Sequence, residues 1–295
     1  MDIAKILSEN AARVVPELEK YLVTPEPALE TLYSSMRYST LSGGKRIRAY
    51  LVNGFCRLFG GDEVAAMPFE CAMEMIHASS LVHDDMPCMD NDALRRGKPT
   101  NHVVYGEDIA LLCGDALMTR GFEVAAENPY VSAEVARKAA VMLTHLAGGV
   151  GMMGGQEIDL LAEKEKPDFP LLLKMHEKKT GALIRAAALL GCYAAGIADD
   201  SDERCVSASE YAAGIGLTFQ IIDDILDVEG DAALLGKATH VDAAQGKTTF
   251  ISFMSIPQAR EYAKKSTDDA VKAISKYKNS EELAEFAYYL LARNK

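Results

Sequence analysis

The chain lacks an excess of positive charge. Its 295 residues include 31 Lys and Arg against 43 Asp and Glu, which gives a net charge of -12 at pH 7. Nucleic acids are bound mainly through clustered Lys and Arg side chains that neutralise phosphates. The charge balance therefore argues against a broad nucleic-acid surface, and the basic clusters that do occur need another explanation.

The cysteines lack both a CxxC pair and any metal-finger spacing. The six residues are Cys56, Cys71, Cys88, Cys113, Cys192 and Cys205. Several of them lie in apolar helical contexts, so we interpret them as reduced, intracellular thiols.

The sequence also lacks an export signal and a membrane-spanning run. The opening "MDIAKILSENAARVVPELEK" carries acids early and has no basic n-region followed by an apolar h-region. The longest uncharged stretch, "AAVMLTHLAGGVGMMGGQ", contains His145 and five glycines, a composition that does not suit a helix in a bilayer. We therefore expect a cytoplasmic protein without a membrane span.

Strand-like alternation of apolar and polar residues is missing as well. Apolar residues recur instead at intervals of three and four, as in the stripe Leu283, Phe286, Ala287, Leu290 and Leu291. Stop and N-cap signals separate such segments, for example Gly60-Gly61-Asp62, Pro167-Asp168 and Ser266 with Asp269. Because no linker or composition break is visible, we predict one all-α domain of about ten helices over residues 1–295.

One helix is predicted to lie at the centre of the bundle. The segment "YAAGIGLTFQIIDDILD" is apolar nearly all round until its aspartates. A helix without a polar face is buried on every side. Acidic residues at the end of such a helix therefore need a partner of opposite charge.

Two acidic clusters stand where helices are predicted to end. Their carboxylates are Asp84, Asp85, Asp90, Asp223, Asp224 and Asp227. Pro87 should end the first helix and Gly230 the second, so the acids lie at the negative end of each helix dipole. A bound cation would resolve this conflict, and oxygen ligands favour a hard ion such as magnesium. A solvated helix end is the alternative for either cluster alone.

The opposite conflict occurs in "LSGGKRIRAY". Lys45, Arg46 and Arg48 are predicted to open a helix, although cations are disfavoured at a helix N-terminus unless an anion binds there. Lys45 and Arg48 are three apart and so share one face, whereas Arg46 points elsewhere. The pattern is compatible with a diphosphate site or with a solvated basic turn.

These motifs, in their order, resemble those of the trans-isoprenyl diphosphate synthases, the short-chain family that makes geranyl, farnesyl and geranylgeranyl diphosphates. The matching segments are "GGKRIR", "MIHASSLVHDDMPCMDNDALRRGKPTNH", "GDALMTRGFE", "GGQEIDL", "KTGALI", "FQIIDDILD", "LGKATHVDAAQGKTTF" and "ARNK". They cover nearly the whole chain. The resemblance implies the all-α isoprenoid synthase fold around a central cavity, and an assembly that is commonly homodimeric.

The resemblance also implies the reaction. Isopentenyl diphosphate is condensed head to tail with an allylic diphosphate by ionisation, condensation and elimination. Magnesium, expected as three ions with manganese as a substitute, is bound by Asp84, Asp85, Asp90, Asp223, Asp224 and Asp227. The allylic diphosphate is bound by Arg95, Lys179, Thr180, Gln220, Lys237 and Lys247, and isopentenyl diphosphate by Lys45, Arg48, His77 and Arg96. Thr180, Gln220 and the carbonyl near Lys179 stabilise the carbocation, so Lys179, Thr180, Gln220, Asp84 and Asp223 are the expected catalytic residues.

Product length is predicted from the residues before the first acidic cluster. In the family an aromatic residue five positions before it shortens the cavity, whereas this chain has Ser79 there, beside Ser80. Helical geometry places Ser80 more squarely under the aspartates, but both side chains are small. We therefore expect a C20 product, with C15 as the alternative if Met73, Met75, Ile76 or another helix refills the floor.

Three departures from the family pattern leave the proposed ligands in place. Ala49 stands where proline is usual, Ala93 replaces an acid, and His240 with Val241 replaces a small, Gly-containing pair. Three other functions stay open: a non-catalytic prenyl synthase subunit, a His-Asp phosphohydrolase suggested by "HDD", and a terpene cyclase. The first and third usually differ in an aspartate motif, and the second needs histidine ligands that the spacing does not supply.

Overall fold

The computed structural model describes residues 1–229 and 247–293, and the regular secondary structure of this part of the chain is helical except for one short hairpin. The α-helices are α1 (Ile3–Tyr21), α2 (Glu30–Thr40), α3 (Ile47–Leu58), α4 (Glu63–Asp84), α5 (Asn101–Tyr105), α6 (Glu107–Ala126), α7 (Ala133–Ala147), α8 (Met152–Ala162), α9 (Phe169–His176), α10 (Ala182–Ala194), α11 (Glu203–Glu229), α12 (Ile256–Ile274) and α13 (Glu281–Leu291). The all-α prediction is confirmed.

Shorter elements interrupt the helices at a few places. A π-helical turn spans Glu177–Gly181, and 3-10 turns span Pro27–Leu29 and Phe250–Ser252. Two strands, β1 (Leu94–Arg95) and β2 (Lys98–Pro99), pair antiparallel. The sequence analysis did not predict this hairpin, because two-residue strands are too short to show an alternating pattern.

The chain divides into two compact units. The N-terminal unit comprises Asp2–Val141 and Tyr193–Gly196, and the C-terminal unit comprises Met1, Met142–Cys192 and Ile197–Lys295. Each unit has its own buried helix and its own acidic cluster, so the two are described in turn. The assignment of residues 1–295 to one domain stays a prediction.

Helix α4 is the buried helix of the N-terminal unit. It packs against α3 and α6, and its middle is closed to solvent all round, with Phe69, Met73 and Ile76 fully buried. Gly121 of α6 lies so close to α4 that an added Cβ would meet Cγ1 of Ile76 at 2.6 Å. The close approach of these two helices fixes the position of the acidic end of α4.

Helix α11 is the buried helix of the C-terminal unit, as predicted from its apolar sequence. It packs against α12, and Ile221, Ile222 and Ile225 form a core with Leu172 of α9 and Phe250. The residues before the aspartates are therefore held rigidly.

The helix punctuation is correct at most of the predicted positions. Asp62 caps α4 by accepting from the Val64 N–H, and Asp168 caps α9 by accepting from the Leu171 N–H. The predicted start at Ser266 with Asp269 is wrong, because Ser266 lies inside α12 and its hydroxyl donates to the Gly214 carbonyl. A serine in a helix interior satisfied in this way gives the same local pattern as a cap.

Across the described ranges, no helix is both long enough and apolar enough to cross a bilayer.

Candidate active site

The acidic end of α4 is folded back on itself. Asp84 is the last helical residue and Asp85 is the C-cap, two positions before Pro87, as the sequence predicted. The Asp90 N–H donates to the Asp84 carbonyl at 2.9 Å, which closes the loop between them. The three predicted ligands of this cluster therefore belong to one tight turn.

Arg95 is held against Asp85 by the hairpin. Its Nε lies 2.7 and 2.9 Å from the two carboxylate oxygens of Asp85, and a terminal nitrogen lies 2.6 Å from one of them. The hairpin turn needs positive φ at Arg96 (52°) and Gly97 (74°), which the glycine adopts without strain. The predicted metal ligand Asp85 and the predicted diphosphate ligand Arg95 are thus direct partners.

A second basic cluster combines Arg48, His77 and Arg96. Arg48 lies 3.1 Å from Nε2 of His77, and the His77 Nδ1 is buried without a partner. Burial, reinforced by Arg48 and Arg96, holds the pKa of His77 well below its usual value, so the ring is neutral at pH 7. Burial also lowers the pKa of Arg48 to about 10. The structure brings together three of the four predicted isopentenyl diphosphate ligands.

The helical-face argument for the fourth ligand, Lys45, is wrong. Helix α3 begins at Ile47, and Arg46 is its N-cap in a left-handed conformation, with φ of 49°. Lys45 therefore precedes the helix and shares no helical face with Arg48. Arg46 has a structural role: it is buried, it lies 3.2 Å from the Glu74 carboxylate, and it donates to the Thr40 carbonyl at 2.6 Å. A backbone reversal at a non-glycine residue has no clear sequence signal.

The two serines predicted to control product length turn their hydroxyls inward. Ser79 donates to the Ile76 carbonyl at 2.9 Å, and Ser80 donates to the His77 carbonyl at 2.8 Å. Ser79 is fully buried, whereas Ser80 is partly exposed. Because each hydroxyl is satisfied within α4, neither presents a polar group to a bound hydrocarbon.

In the C-terminal unit, the π-helical turn between α9 and α10 carries Lys179 and Thr180. The Thr180 hydroxyl donates to Oε1 of Gln220 on α11 at 2.5 Å, and Lys179 lies 2.5 Å from the Asp159 carboxylate on α8. A Cβ on Gly155 would clash with the backbone nitrogen of Lys179, so α8 contacts this turn at close range. π turns of this kind are frequent at functional sites because they re-aim side chains.

Asp159 is a residue that the sequence reasoning missed. It lies in the quoted motif "GGQEIDL", but no role was assigned to it. Its carboxylate is largely buried, with 14% of the side chain exposed, and it forms an ion pair with the ammonium group of Lys179. The sequence did contain a signal for Asp159, because it is an acidic residue inside a quoted motif, three positions after Gln156.

The acidic end of α11 has three carboxylates in different surroundings. Asp224 is buried and accepts the Phe250 N–H at 2.7 Å, which anchors the segment that contains Lys247. Asp227 is buried as well, whereas Asp223 is partly exposed and paired with Arg293. Arg293 was also missed, although it lies in the quoted motif "ARNK".

His176 lies beneath this region and was not predicted to have a role. Its ring stacks on Phe250, with centroids 5.2 Å apart and planes inclined by 17°. Burial lowers the pKa of His176 to about 4, so the ring is neutral at pH 7. A neutral ring suits a packing partner of Phe250, which in turn donates to Asp224.

Some predicted positions lie outside the described residues. These are Lys237, the helix end at Gly230, and the pair His240 and Val241.

The residues present fit magnesium in donor type. In residues 1–229 and 247–293, no three His, Cys, Asp or Glu side chains converge on a point that could hold a metal ion. Magnesium does not need such a cage, because it keeps several waters and binds through one or two carboxylates plus substrate phosphates. Asp223 already has a cation, the Arg293 guanidinium, as its partner. The arrangement suits a metal completed by substrate.

Residues 29–290 match the family model described as polyprenyl synthetase. The chain is 42% identical over 299 residues to a protein named geranylgeranyl pyrophosphate synthase 3, chloroplastic, from Arabidopsis thaliana, covering 99% of this chain and 80% of the relative.

Solved structures give the same result for the fold. A structure described as an FPP/GFPP synthase from Zymomonas mobilis has a TM-score of 0.88 at 34% identity, with 99% of each chain covered. A geranyltransferase from Helicobacter pylori, described as complexed with magnesium and isoprenyl diphosphate, has a TM-score of 0.83 at 29% identity, covering 99% of this chain and 96% of the other. The predicted isoprenoid synthase fold is confirmed.

Proposed function

Because this chain belongs to the polyprenyl synthetase family and is a short-chain trans-prenyltransferase, we propose that it makes geranylgeranyl diphosphate by condensing isopentenyl diphosphate with allylic diphosphates. The observation that carries the proposal is the π turn of the C-terminal unit. It presents Lys179 and Thr180 side by side. Lys179 forms an ion pair with Asp159, and the Thr180 hydroxyl donates a hydrogen bond to Gln220. A cationic group next to a dipole pair suits a diphosphate adjacent to an allylic cation.

The carboxylates of both acidic clusters would hold magnesium, and the resemblance to the family assigns that magnesium to the allylic diphosphate. Asp84, Asp85, Asp90, Asp223, Asp224 and Asp227 are the proposed ligands, with three ions in the full complement and manganese as a substitute. The metal, when bound, acts as a Lewis acid that neutralises the departing diphosphate. Asp224 also has a structural role, because its carboxylate accepts a hydrogen bond from the Phe250 N–H.

The basic residues bind and orient the two diphosphates. Arg95, Lys179 and Lys247, with Lys237, bind the allylic diphosphate, and Arg95 is held in place by its bidentate contact with Asp85. Lys45, Arg48 and Arg96 bind isopentenyl diphosphate, and the neutral ring of His77 adds a hydrogen bond without adding charge.

Thr180 and Gln220 stabilise the cation that forms when the allylic C–O bond breaks. The Thr180 hydroxyl proton is committed to Gln220, so the hydroxyl oxygen keeps its lone pairs for developing positive charge. The isopentenyl double bond attacks this cation, and the proton lost in the final step passes to the released diphosphate. No nucleophilic Ser or Cys takes part.

A C20 product is supported by the small residues before the first acidic cluster. Ser79 and Ser80 have no bulk to obstruct a growing chain, and both hydroxyls are turned back to helix carbonyls. The Arabidopsis relative named above carries a geranylgeranyl name. The alternative C15 product would result if the buried Met73, Met75 and Ile76 close the floor of the pocket.

A homodimer is proposed from the surface of the N-terminal unit. Helices α5 and α6 expose four large apolar side chains, Val103, Val104, Leu111 and Leu112, each close to half exposed. Exposed apolar groups that are close in sequence on adjoining helices are typical of a subunit contact. Light scattering after gel filtration would check the dimer, and the cytoplasmic location stays a prediction.

The function is tested by product analysis. Purified protein is incubated with magnesium, radiolabelled isopentenyl diphosphate and, separately, C5, C10 and C15 allylic diphosphates, and the dephosphorylated products are chromatographed. Accumulation of C20 alcohol supports the proposal. A C15 endpoint retains the reaction and rejects the pocket argument, whereas no elongation from any primer favours a non-catalytic subunit.

A further inference from the structure

Arg293 is a buried cation that contacts the second acidic cluster, which consists of Asp223, Asp224 and Asp227. Its terminal nitrogen contacts Oδ1 of Asp223, and only 12% of its side chain is exposed. Its guanidinium carbon lies 4.3 Å from the centroid of the Phe219 ring, one helical turn before Asp223 on α11. The carboxylate and the aromatic face together form a binding site for one positive charge.

This contact is anchored from the other side as well. Arg293 follows α13 by two residues, and α13 is fixed by the buried Phe286 and Leu290. The guanidinium therefore reaches Asp223 from a packed helix rather than from a long free arm. Its Nε is buried without a partner, so part of the hydrogen-bonding capacity of the group is unsatisfied.

Guanidinium and magnesium compete for one carboxylate, because both are cations and each weakens the attraction of the carboxylate for the other. Magnesium requires oxygen ligands at about 2.0–2.1 Å in an octahedral arrangement. An arginine on the same oxygen blocks that direction, and its charge repels the metal at short range. The Arg293 contact at Oδ1 therefore weakens magnesium binding at Asp223.

We propose that Arg293 is an internal counter-ion that competes with magnesium for Asp223 and sets the magnesium concentration at which the second acidic cluster fills. The inference rests on the proposed function, since it takes Asp223 as a metal ligand. It assigns to the end of α13 a positioning role: the guanidinium neutralises Asp223 before the metal arrives and leaves when it binds.

The first test measures magnesium binding in the presence of inorganic diphosphate, which supplies the phosphate ligands without a prenyl chain. Isothermal titration of Arg293→Gln with magnesium should give an apparent dissociation constant at least about fivefold lower than that of the wild type, a modest coupling between two ligands of one site. Arg293→Lys, which keeps the charge, should stay close to the wild type. Equal or weaker magnesium binding by Arg293→Gln would overturn the proposal.

Arg260→Gln is the matched control. Arg260 lies 2.6 Å from the Glu229 carboxylate, near the same end of α11, but both of these side chains are about half exposed. The control removes the same charge from the same region without touching Asp223. A similar tightening in Arg260→Gln would mean that net charge, not competition, is responsible.

A second test follows Arg293 itself. The chain contains no tryptophan, so Phe219→Trp introduces a single tryptophan under the guanidinium, which can be excited selectively over the tyrosines. Magnesium should change its emission when the Arg293 side chain is intact, and the change should be absent in the double variant Phe219→Trp with Arg293→Gln. An identical response in both proteins would contradict displacement of the arginine.

Failure of this inference is distinguishable from failure of the proposed function. Both binding tests run without prenyl substrates, whereas the function is judged by product formation. Tighter magnesium binding by Arg293→Gln in a protein that elongates no primer would retain the competition and reject the synthase. Normal elongation with unchanged magnesium binding in Arg293→Gln would reject the competition and retain the synthase.

Discussion

The Thr180 hydroxyl donates to Oε1 of Gln220 at 2.5 Å and joins the π turn to the middle of α11. Two residues that are 40 apart in the chain thus act as one dipole. The bond depends on the π turn, because a regular α-helix would point residue 180 in another direction.

Thr180→Val should lower kcat about 100-fold and change KM little, since the lost group stabilises charge that develops only in the transition state. Steady-state kinetics with each allylic primer would check this. Thr119→Val is the control, because the Thr119 hydroxyl bonds only to carbonyls of its own helix. Equal losses in the two variants would count against the assigned role.

Gly155→Ala should destabilise the protein by about 1–3 kcal/mol, the usual range for overpacking, and reduce activity more than its stability loss explains. The added methyl group would clash with the Lys179 backbone and push the π turn away. Urea unfolding and kinetics would separate the two effects. Gly149→Ala is the control, because a Cβ there meets nothing within 4 Å, and it should leave stability and activity nearly unchanged. Equal losses of stability and activity in Gly149→Ala would disprove the clash at Gly155.

Ser79→Phe should shift the main product from C20 to C15, because in the family an aromatic residue at that position shortens the cavity. Ser80→Phe should retain the C20 product, because the resemblance to the family implies that the position five before the first aspartate, not four before it, limits the chain. Chromatography of the alcohols decides between them. A shift in Ser80→Phe alone would mean that the helical-geometry argument was the better one.

Stability should fall between pH 6.5 and pH 4 through His176. Its pKa is about 4 in the folded protein and about 6.5 when unfolded, so the unfolded state takes up a proton first as the pH falls. The contribution is fully present above pH 6.5, and about 2 kcal/mol of it should be lost by pH 5. Urea unfolding at pH 7 and pH 5 measures this.

His176→Gln is the comparison for that experiment. The variant cannot gain a proton, so its unfolding free energy should fall less between pH 7 and pH 5 than that of the wild type, while groups such as His77 contribute equally to both. Parallel losses in wild type and variant would exclude His176 as the source.

The sequence by itself determined the helical class and the order of the motifs. Apolar spacing of three and four, together with Asp62 and Asp168 as caps, is a local property of the chain and survives folding unchanged. The acidic ends of α4 and α11 were likewise visible, because the residues that end a helix lie next to those that form it.

Only the tertiary structure decided which charges are partners. Arg95 with Asp85, Lys179 with Asp159, and Arg293 with Asp223 are pairs made by packing of separate elements. The same holds for the errors: Ser266 looks like a cap but bonds to a neighbouring helix, and Lys45 precedes a helix that the Arg46 reversal delays. Pairing depends on distances across the fold, and spacing along the chain carries no record of them.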